Sequence, residues 1–237
     1  MNEKFLSGRV AVVTGANSGI GKAIAFALAS SGAQLVIAAR RMDLNRKVAL
    51  EIEWETSSKV FPIETDVSKE EQCIKLIEET VHRYGRIDIL VNNAGIMVYA
   101  PLEELSTEEF DRVIKTNLYG TFWCSKEAFK KMIRQQAGGY IINISSLAGI
   151  DAWSGTAGYS ASKFGIMGLT KALADEGKKY DIKVTAICPA LVATPMTGVE
   201  GENYLQPQDI AQTVLYLLSL SGACWPTEII LPRKGAD

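Results

Sequence analysis

Short, unbroken apolar runs alternate along this chain with longer segments whose apolar residues recur at helical spacing. The runs cover residues 10–14, 34–39, 59–64, 87–92, 140–145, 182–188 and 228–231. Each has strand length and few polar interruptions, which suits strands covered on both faces rather than strands with one face in water. Helices are predicted over 20–31, stopped by Gly32, and through a charged stretch to about Trp54. Ser68-Lys69-Glu70-Glu71 and Ser106-Thr107-Glu108-Glu109 both read as capping boxes. The first opens a helix to Tyr84, before Gly85, and the second a long helix ending near Gln136. Further helices are expected over 158–179 and 207–218. Gly165, Gly168 and Gly177 weaken the first of these but would let a neighbouring helix approach closely. Strands alternating with helices predict an α/β fold: a Rossmann-like, doubly wound parallel sheet of about seven strands with helices on both faces. With no linker, repeat or low-complexity stretch, residues 1–237 are expected to form a single dinucleotide-binding and catalytic domain.

Composition narrows the function. Hydrophobic residues make up 47% of the chain, enough for a sizeable core, and the formal net charge of −2 gives no basic field for nucleic acid or an anionic membrane. No apolar run is long enough to span a bilayer, and the start of the chain lacks the pattern of a signal peptide. Cys73, Cys124, Cys188 and Cys224 are scattered, with neither a disulfide framework nor zinc spacing, so a cytoplasmic location and no metal are expected. His82, the single histidine, sits in a charged helical stretch, which argues against a histidine-based triad.

Candidate chemistry falls at the strand ends, where ligands of such sheets bind. The first strand runs into Thr14-Gly15-Ala16-Asn17-Ser18-Gly19-Ile20-Gly21, with a helix following. Glycines there allow a tight turn and close approach of a pyrophosphate to the helix N-terminus. The spacing G-x-x-x-G-x-G differs from the commoner G-x-G-x-x-G, and it is not a P-loop, since no Gly-Lys-Ser/Thr follows. The second strand ends Ala38-Ala39-Arg40-Arg41, where an NAD site usually places an acid. A guanidinium suits a phosphate, so NADP(H) is favoured, with NAD(H) left open because Asp43 lies close by. Tyr159 and Lys163 are four residues apart in a predicted helix, hence on one face. A phenol beside an ammonium can act as an acid/base pair, the positive charge favouring phenolate. A surface tyrosine over a lysine stem would have the same spacing.

Taken together, the Thr14–Gly21 turn, Asp66-Val67, Asn92-Asn93-Ala94-Gly95, Asn117, Ser146, Tyr159, Lys163 and the segment 189–194 closely resemble the short-chain dehydrogenase/reductase family. The resemblance spans nearly the whole chain and implies an NADP(H)-dependent oxidoreductase that interconverts a carbonyl and a secondary alcohol. It implies Tyr159 as general acid/base, with Ser146, thirteen residues upstream, holding the substrate oxygen. Lys163 would bind the nicotinamide ribose and lower the pKa of Tyr159, and Asn117 would support a water relay to Lys163. Gly15, Asn17, Ser18, Gly19, Ile20 and Gly21 would hold the pyrophosphate side. Asp66 and Val67 would meet the adenine, and Asn92, Asn93, Ala94 and Gly95 would stand along the adenosine, Asn92 with a structural alternative. Pro189, Val192 and Thr194 would contact the nicotinamide. The family's usual Pro-Gly is Pro189-Ala190 here, and alanine resists a positive φ, so a slightly shifted ring is expected.

Loops 96–105, 147–157 and 196–205 should choose the substrate; they are apolar in part and carry no Arg or Lys. Two readings stay open within the resemblance: a carbonyl reductase or 3-hydroxy-acid dehydrogenase, and a 3-oxoacyl-thioester (acyl-carrier-protein) reductase. Outside it stands a catalytically silent dinucleotide-binding sensor. The resemblance also implies a homo-oligomer, dimer or tetramer, through the long helices, with Tyr119, Phe122, Trp123 and Phe129 as candidate contacts or core.

Overall fold

In the computed structural model, which describes residues 4–235, the apolar runs form one seven-stranded sheet. The strands are β1 Val10–Thr14, β2 Gln34–Ala39, β3 Val60–Glu64, β4 Ile89–Asn92, β5 Gly139–Ile144, β6 Ile182–Pro189 and β7 Glu228–Leu231. Their order is β3-β2-β1-β4-β5-β6-β7, and every neighbouring pair is parallel. Helices α1 Gly19–Ser30, α2 Met42–Thr56, α3 Glu70–Tyr84, α4 Thr107–Ile114, α5 Gly120–Gln135, α6 Ala157–Gly177 and α7 Pro207–Ser219 cover both faces.

The unbroken apolar strands follow from that covering. Successive side chains of a strand point to opposite faces. Ala11 and Val13 of β1 enter a core with Ile24 and Leu28 of α1 and Val214 and Leu217 of α7. Val12 enters the other core, with Leu76 and Ile77 of α3 and Cys124 and Ala128 of α5. Neither face can be polar, so alternation disappears.

At the amino end of the sheet, the fully buried Asp88 ties β1 to β4. It accepts hydrogen bonds from Val10 N–H at 2.9 Å, Arg9 Nη1 at 3.2 Å and Arg86 Nε at 2.8 Å. That carboxylate raises the Arg86 guanidinium pKa, against the opposing effect of burial.

Several expectations change in detail. The Ser106 box forms, Ser106 Oγ accepting from Glu109 N–H at 3.2 Å. The Ser68 box does not. Ser68 donates its hydroxyl to Asp66 Oδ1 at 2.8 Å, and α3 begins at Glu70 after Lys69. A nearer carboxylate outcompetes the helix for that hydroxyl. The long helix after Ser106 is interrupted at Lys115–Tyr119 by a π-helical turn, which separates α4 from α5. Of the three glycines of α6, Gly165 takes the Leu118 side chain and Gly177 the carbonyl of Ile182, while Gly168 faces open space. Phe129 belongs to the core, whereas Tyr119 and Phe122 are exposed and Tyr119 stacks on Trp123 at 5.2 Å. No helix among the described residues is long and apolar enough to cross a membrane.

Candidate active site

The chain leaves β1 for β2 on one side of the sheet and reaches β4 on the other, so a crevice opens where β1 and β4 adjoin. A cavity of about 700 Å³ lies along the carboxyl ends of the strands.

Its floor at β1 is the glycine turn. Gly15 has φ +63°, and a Cβ there would stand 2.9 Å from Ala94 Cα. Gly15, Asn17, Ser18, Gly19 and Ile20 line the cavity. Ser18 precedes α1 without capping it, which leaves the first-turn N–H groups for an anion. Gly21 does not line the cavity; a Cβ there would strike the Gly15 carbonyl and the Asn93 amide. Its part is packing beneath the turn. Asn93 braces that turn, donating from Nδ2 to the carbonyls of Thr14 at 2.9 Å and Gly15 at 3.1 Å. Thr14 Oγ1 accepts in return from Asn93 N–H and Ala94 N–H, both at 3.0 Å. Asn92 lies outside the cavity and joins strands, donating to Asn143 Oδ1 and Ser125 Oγ at 2.9 Å. The structural alternative for Asn92 is the one the geometry supports.

Arg40 and Arg41, at the end of β2, line the cavity and are exposed, while Asp43 lies in the first turn of α2 and is not part of the lining. Among the described residues neither arginine has a carboxylate within ion-pair distance, whereas Lys22 pairs with Glu51 at 2.5 Å. Asp66 and Val67 line the wall at the end of β3, with Ala94 and Gly95 across from them. Thr65 lies there too, unforeseen from sequence, its buried hydroxyl without a partner among the described residues. A threonine at a strand end carries no signal of its own.

At the other end of the cavity, Ser146 follows β5, and Tyr159 and Lys163 lie on the first turns of α6. All three line the wall. Ser145 also lines the cavity but gives its hydroxyl to the Lys163 carbonyl at 3.3 Å, and Ser146 is the serine whose hydroxyl meets the phenol. Burial raises the Tyr159 pKa above its ordinary value near 10, and the Ser146 hydroxyl opposes this by hydrogen bonding. The expected lowering by Lys163 is not a feature of the protein alone, because the ammonium is engaged elsewhere. Lys163 Nζ donates to the Ile144 carbonyl at 2.8 Å and stands 5.5 Å from the Tyr159 ring centroid. Desolvation lowers the pKa of this buried ammonium to about 8.

Asn117 sits on the π turn and is fully buried, outside the lining. Its Oδ1 accepts from Ile96 N–H at 2.8 Å, and its Nδ2 donates to the Ile96 carbonyl at 2.9 Å and Ser162 Oγ at 3.0 Å. The side chain thus clamps the segment after β4 to the helix carrying Tyr159, and no hydrogen bond joins it to Lys163 among the described residues. Pro189, Ala190, Val192 and Thr194 complete the wall. Ala190 has no positive φ, and its N–H donates to the Leu231 carbonyl at 2.9 Å. The conformational objection to alanine there is removed.

Met97, Tyr99, Leu147, Ala148, Trp153 and Met196 make the substrate end apolar. Tyr99 packs against Gly155, which joins the two loops from opposite sides of the opening. Arg233, from the tail after β7, also lines the cavity, and sequence separation hid it. Among the described residues no cluster of His, Cys, Asp or Glu could hold a metal ion.

A cavity with an anion-ready helix terminus at one end and a half-buried tyrosine beside a buried lysine at the other fits a dinucleotide-dependent oxidoreductase. The family model for short chain dehydrogenase matches residues 9–205, and the chain belongs to that family of oxidoreductases, whose fold binds a nicotinamide dinucleotide. An uncharacterized oxidoreductase of Staphylococcus aureus is 38% identical over 217 residues, covering 90% of this chain and 92% of the relative. An acetoacetyl-CoA reductase of Acinetobacter is 39% identical over 229 residues, covering 91% and 92%. The solved alcohol dehydrogenase of Thermococcus sibiricus, complexed with 5-hydroxy-NADP, superposes with a TM-score of 0.89 at 33% identity, covering 96% and 97%.

Proposed function

We propose that this chain is an NADP(H)-dependent reductase of carbonyl compounds, working reversibly on the matching secondary alcohols, with a 3-oxoacyl or 3-hydroxy-acid skeleton as substrate. The observation that carries the reading is the convergence of Ser146, Tyr159 and Lys163 on one end of a cavity whose other end is cationic. The glycine turn is shaped for a pyrophosphate, since a Cβ at Gly15 would fill the space against Ala94. Arg40 and Arg41 stand where a ribose 2′-phosphate would reach them, and both have donors to give it.

The dinucleotide, when bound, supplies the hydride in reduction and takes it up in oxidation. Ser146 and Tyr159 donate hydrogen bonds to the carbonyl oxygen as negative charge grows there. Tyr159 then gives that oxygen its phenolic proton, and its raised pKa keeps the proton in place until then. Lys163 holds a positive charge beside the phenolate that remains, and solvent restores the proton. Asn117 keeps α6 and the segment after β4 in register, so that the phenol stays aimed at the cavity. The Acinetobacter relative's name, acetoacetyl-CoA reductase, supports a 3-oxoacyl skeleton.

The test is NADPH oxidation with a panel of 3-oxo acids, 3-oxoacyl thioesters and simple ketones, repeated with NADH. Turnover with at least one class, and a preference for NADPH that shrinks in Arg40→Ala and Arg41→Ala, is the expected result. Dinucleotide binding without turnover on any member would favour the silent sensor.

A further inference from the structure

Loops 96–105, 147–157 and 196–205 contribute no basic residue, yet the fold brings one to the cavity from elsewhere, beside Tyr204 of the last loop. Ala190 N–H bonds to the Leu231 carbonyl, so the chain leaving β7 runs beside Ala190 and Leu191. Two residues further on, Arg233 lines the cavity that Ser146 and Tyr159 also line. The guanidinium is half-buried and lies over the ring of Tyr204, 5.5 Å from its centroid. A guanidinium over an aromatic face gains from the ring's quadrupole and keeps its N–H groups for hydrogen bonding. Of its five donors, one reaches the Lys234 carbonyl at 3.4 Å, and among the described residues no carboxylate pairs with it. Among the described residues the only acidic one of the lining is Asp66, at the far end beyond β3. Arg40 and Arg41 follow β2, which is five strands from β7, roughly 24 Å at ordinary strand spacing. Arg233 is therefore not a second contact for the phosphate those arginines would hold.

We propose that Arg233 is the specificity-determining residue of the substrate end, receiving a carboxylate on the chain that bears the reacting carbonyl. The preferred substrates are then oxo acids and the corresponding hydroxy acids rather than neutral ketones. An apolar pocket ending in one cation fits a short hydrocarbon chain closed by a carboxylate. This rests on the proposed carbonyl chemistry, and it supplies the cation that loops 96–105, 147–157 and 196–205 lack.

Equilibrium calorimetry on the NADP+-loaded protein tests it without turnover, because a ketone cannot be reduced in that complex. The probes are straight-chain 3-oxo acids and their methyl esters. The acids should bind about tenfold or more tightly than the esters in the natural protein. Arg233→Ala should erase that difference while leaving ester and NADP+ affinities within about twofold, and Arg233→Lys should restore part of it. Equal binding of acid and ester, or a preference that survives in Arg233→Ala, would overturn the proposal. So would a uniform loss of ester and cofactor affinity, which marks a structural role. A loss in Arg233→Ala confined to acetoacetyl-CoA would assign the guanidinium to thioester phosphates and overturn it as well. Failure of the underlying reading has a different signature: no NADPH oxidation with any of these carbonyls, whatever their affinity.

Discussion

The two ends of the sheet bury charge in opposite ways. At the amino end Asp88 is sealed from water but surrounded by Arg9, Arg86 and a backbone N–H. At the carboxyl end Lys163 is almost as deeply buried, with one carbonyl as its partner and no carboxylate within ion-pair distance among the described residues. A compensated charge holds strands together. An uncompensated one costs stability and is retained where a poised proton or a bound ligand repays it. The fold thus separates architecture from reaction along the length of each strand.

Breaking the compensated end should produce the largest loss of stability. Asp88→Ala leaves the buried Val10 N–H without its acceptor and two part-exposed guanidinium groups without theirs, and should cost about 2–3 kcal/mol in denaturant unfolding. Turnover per folded molecule should be unchanged. Breaking the other end should do the reverse. Lys163→Met removes a desolvated ammonium, and the cofactor-free protein should gain about 1–3 kcal/mol at pH 7 while losing turnover. The sign follows from linkage. The folded pKa of Lys163 is depressed from 10.5 to about 8, so the unfolded chain binds more protons between those values. The stability of the natural protein relative to Lys163→Met should therefore rise with pH across that window and be flat below it. Urea midpoints for the pair at a series of pH values would check this.

Smaller effects sharpen the contrast. Arg40→Ala and Arg41→Ala should weaken NADPH binding by about tenfold each and leave NADH binding alone, as read by fluorescence titration. Both are exposed, so stability should not move. The smallest effects lie in α6, which carries Tyr159 near its start and ends at Gly177 against Ile182 of β6. Gly168→Ala meets open space and should stabilise by about 0.5–1 kcal/mol. Gly165→Ala would meet Leu118 and should destabilise instead.

The comparison also explains what was legible in the sequence. The strands were readable because both faces of the sheet require apolar residues, and that requirement leaves unbroken runs. The glycine turn and the Tyr159-Lys163 pair were readable because each is local, a few residues whose spacing carries the geometry. The rest depends on contacts that spacing does not encode. Ser68 has the pattern of a cap, but Asp66 captures its hydroxyl from two residues away. The π turn at Lys115–Tyr119 places Asn117 between Ile96 and Ser162, partners 21 and 45 residues away in sequence. Ala190 looked strained only on the assumption that its backbone needs a positive φ. Arg233 reached the cavity through the pairing of β7 with β6, so its charge could not be counted among the loops.

The central claim is that the phenol of Tyr159 moves the proton at the end of the cavity where Lys163 is held without a counter-ion. The measurement that tests it most directly is the turnover of Tyr159→Phe at saturating NADPH and carbonyl, with cofactor affinity determined on the same preparation. A fall of about 10²–10⁴-fold in kcat with NADPH affinity retained is the predicted result. Turnover within about tenfold of the natural protein, at unchanged cofactor affinity, would contradict it.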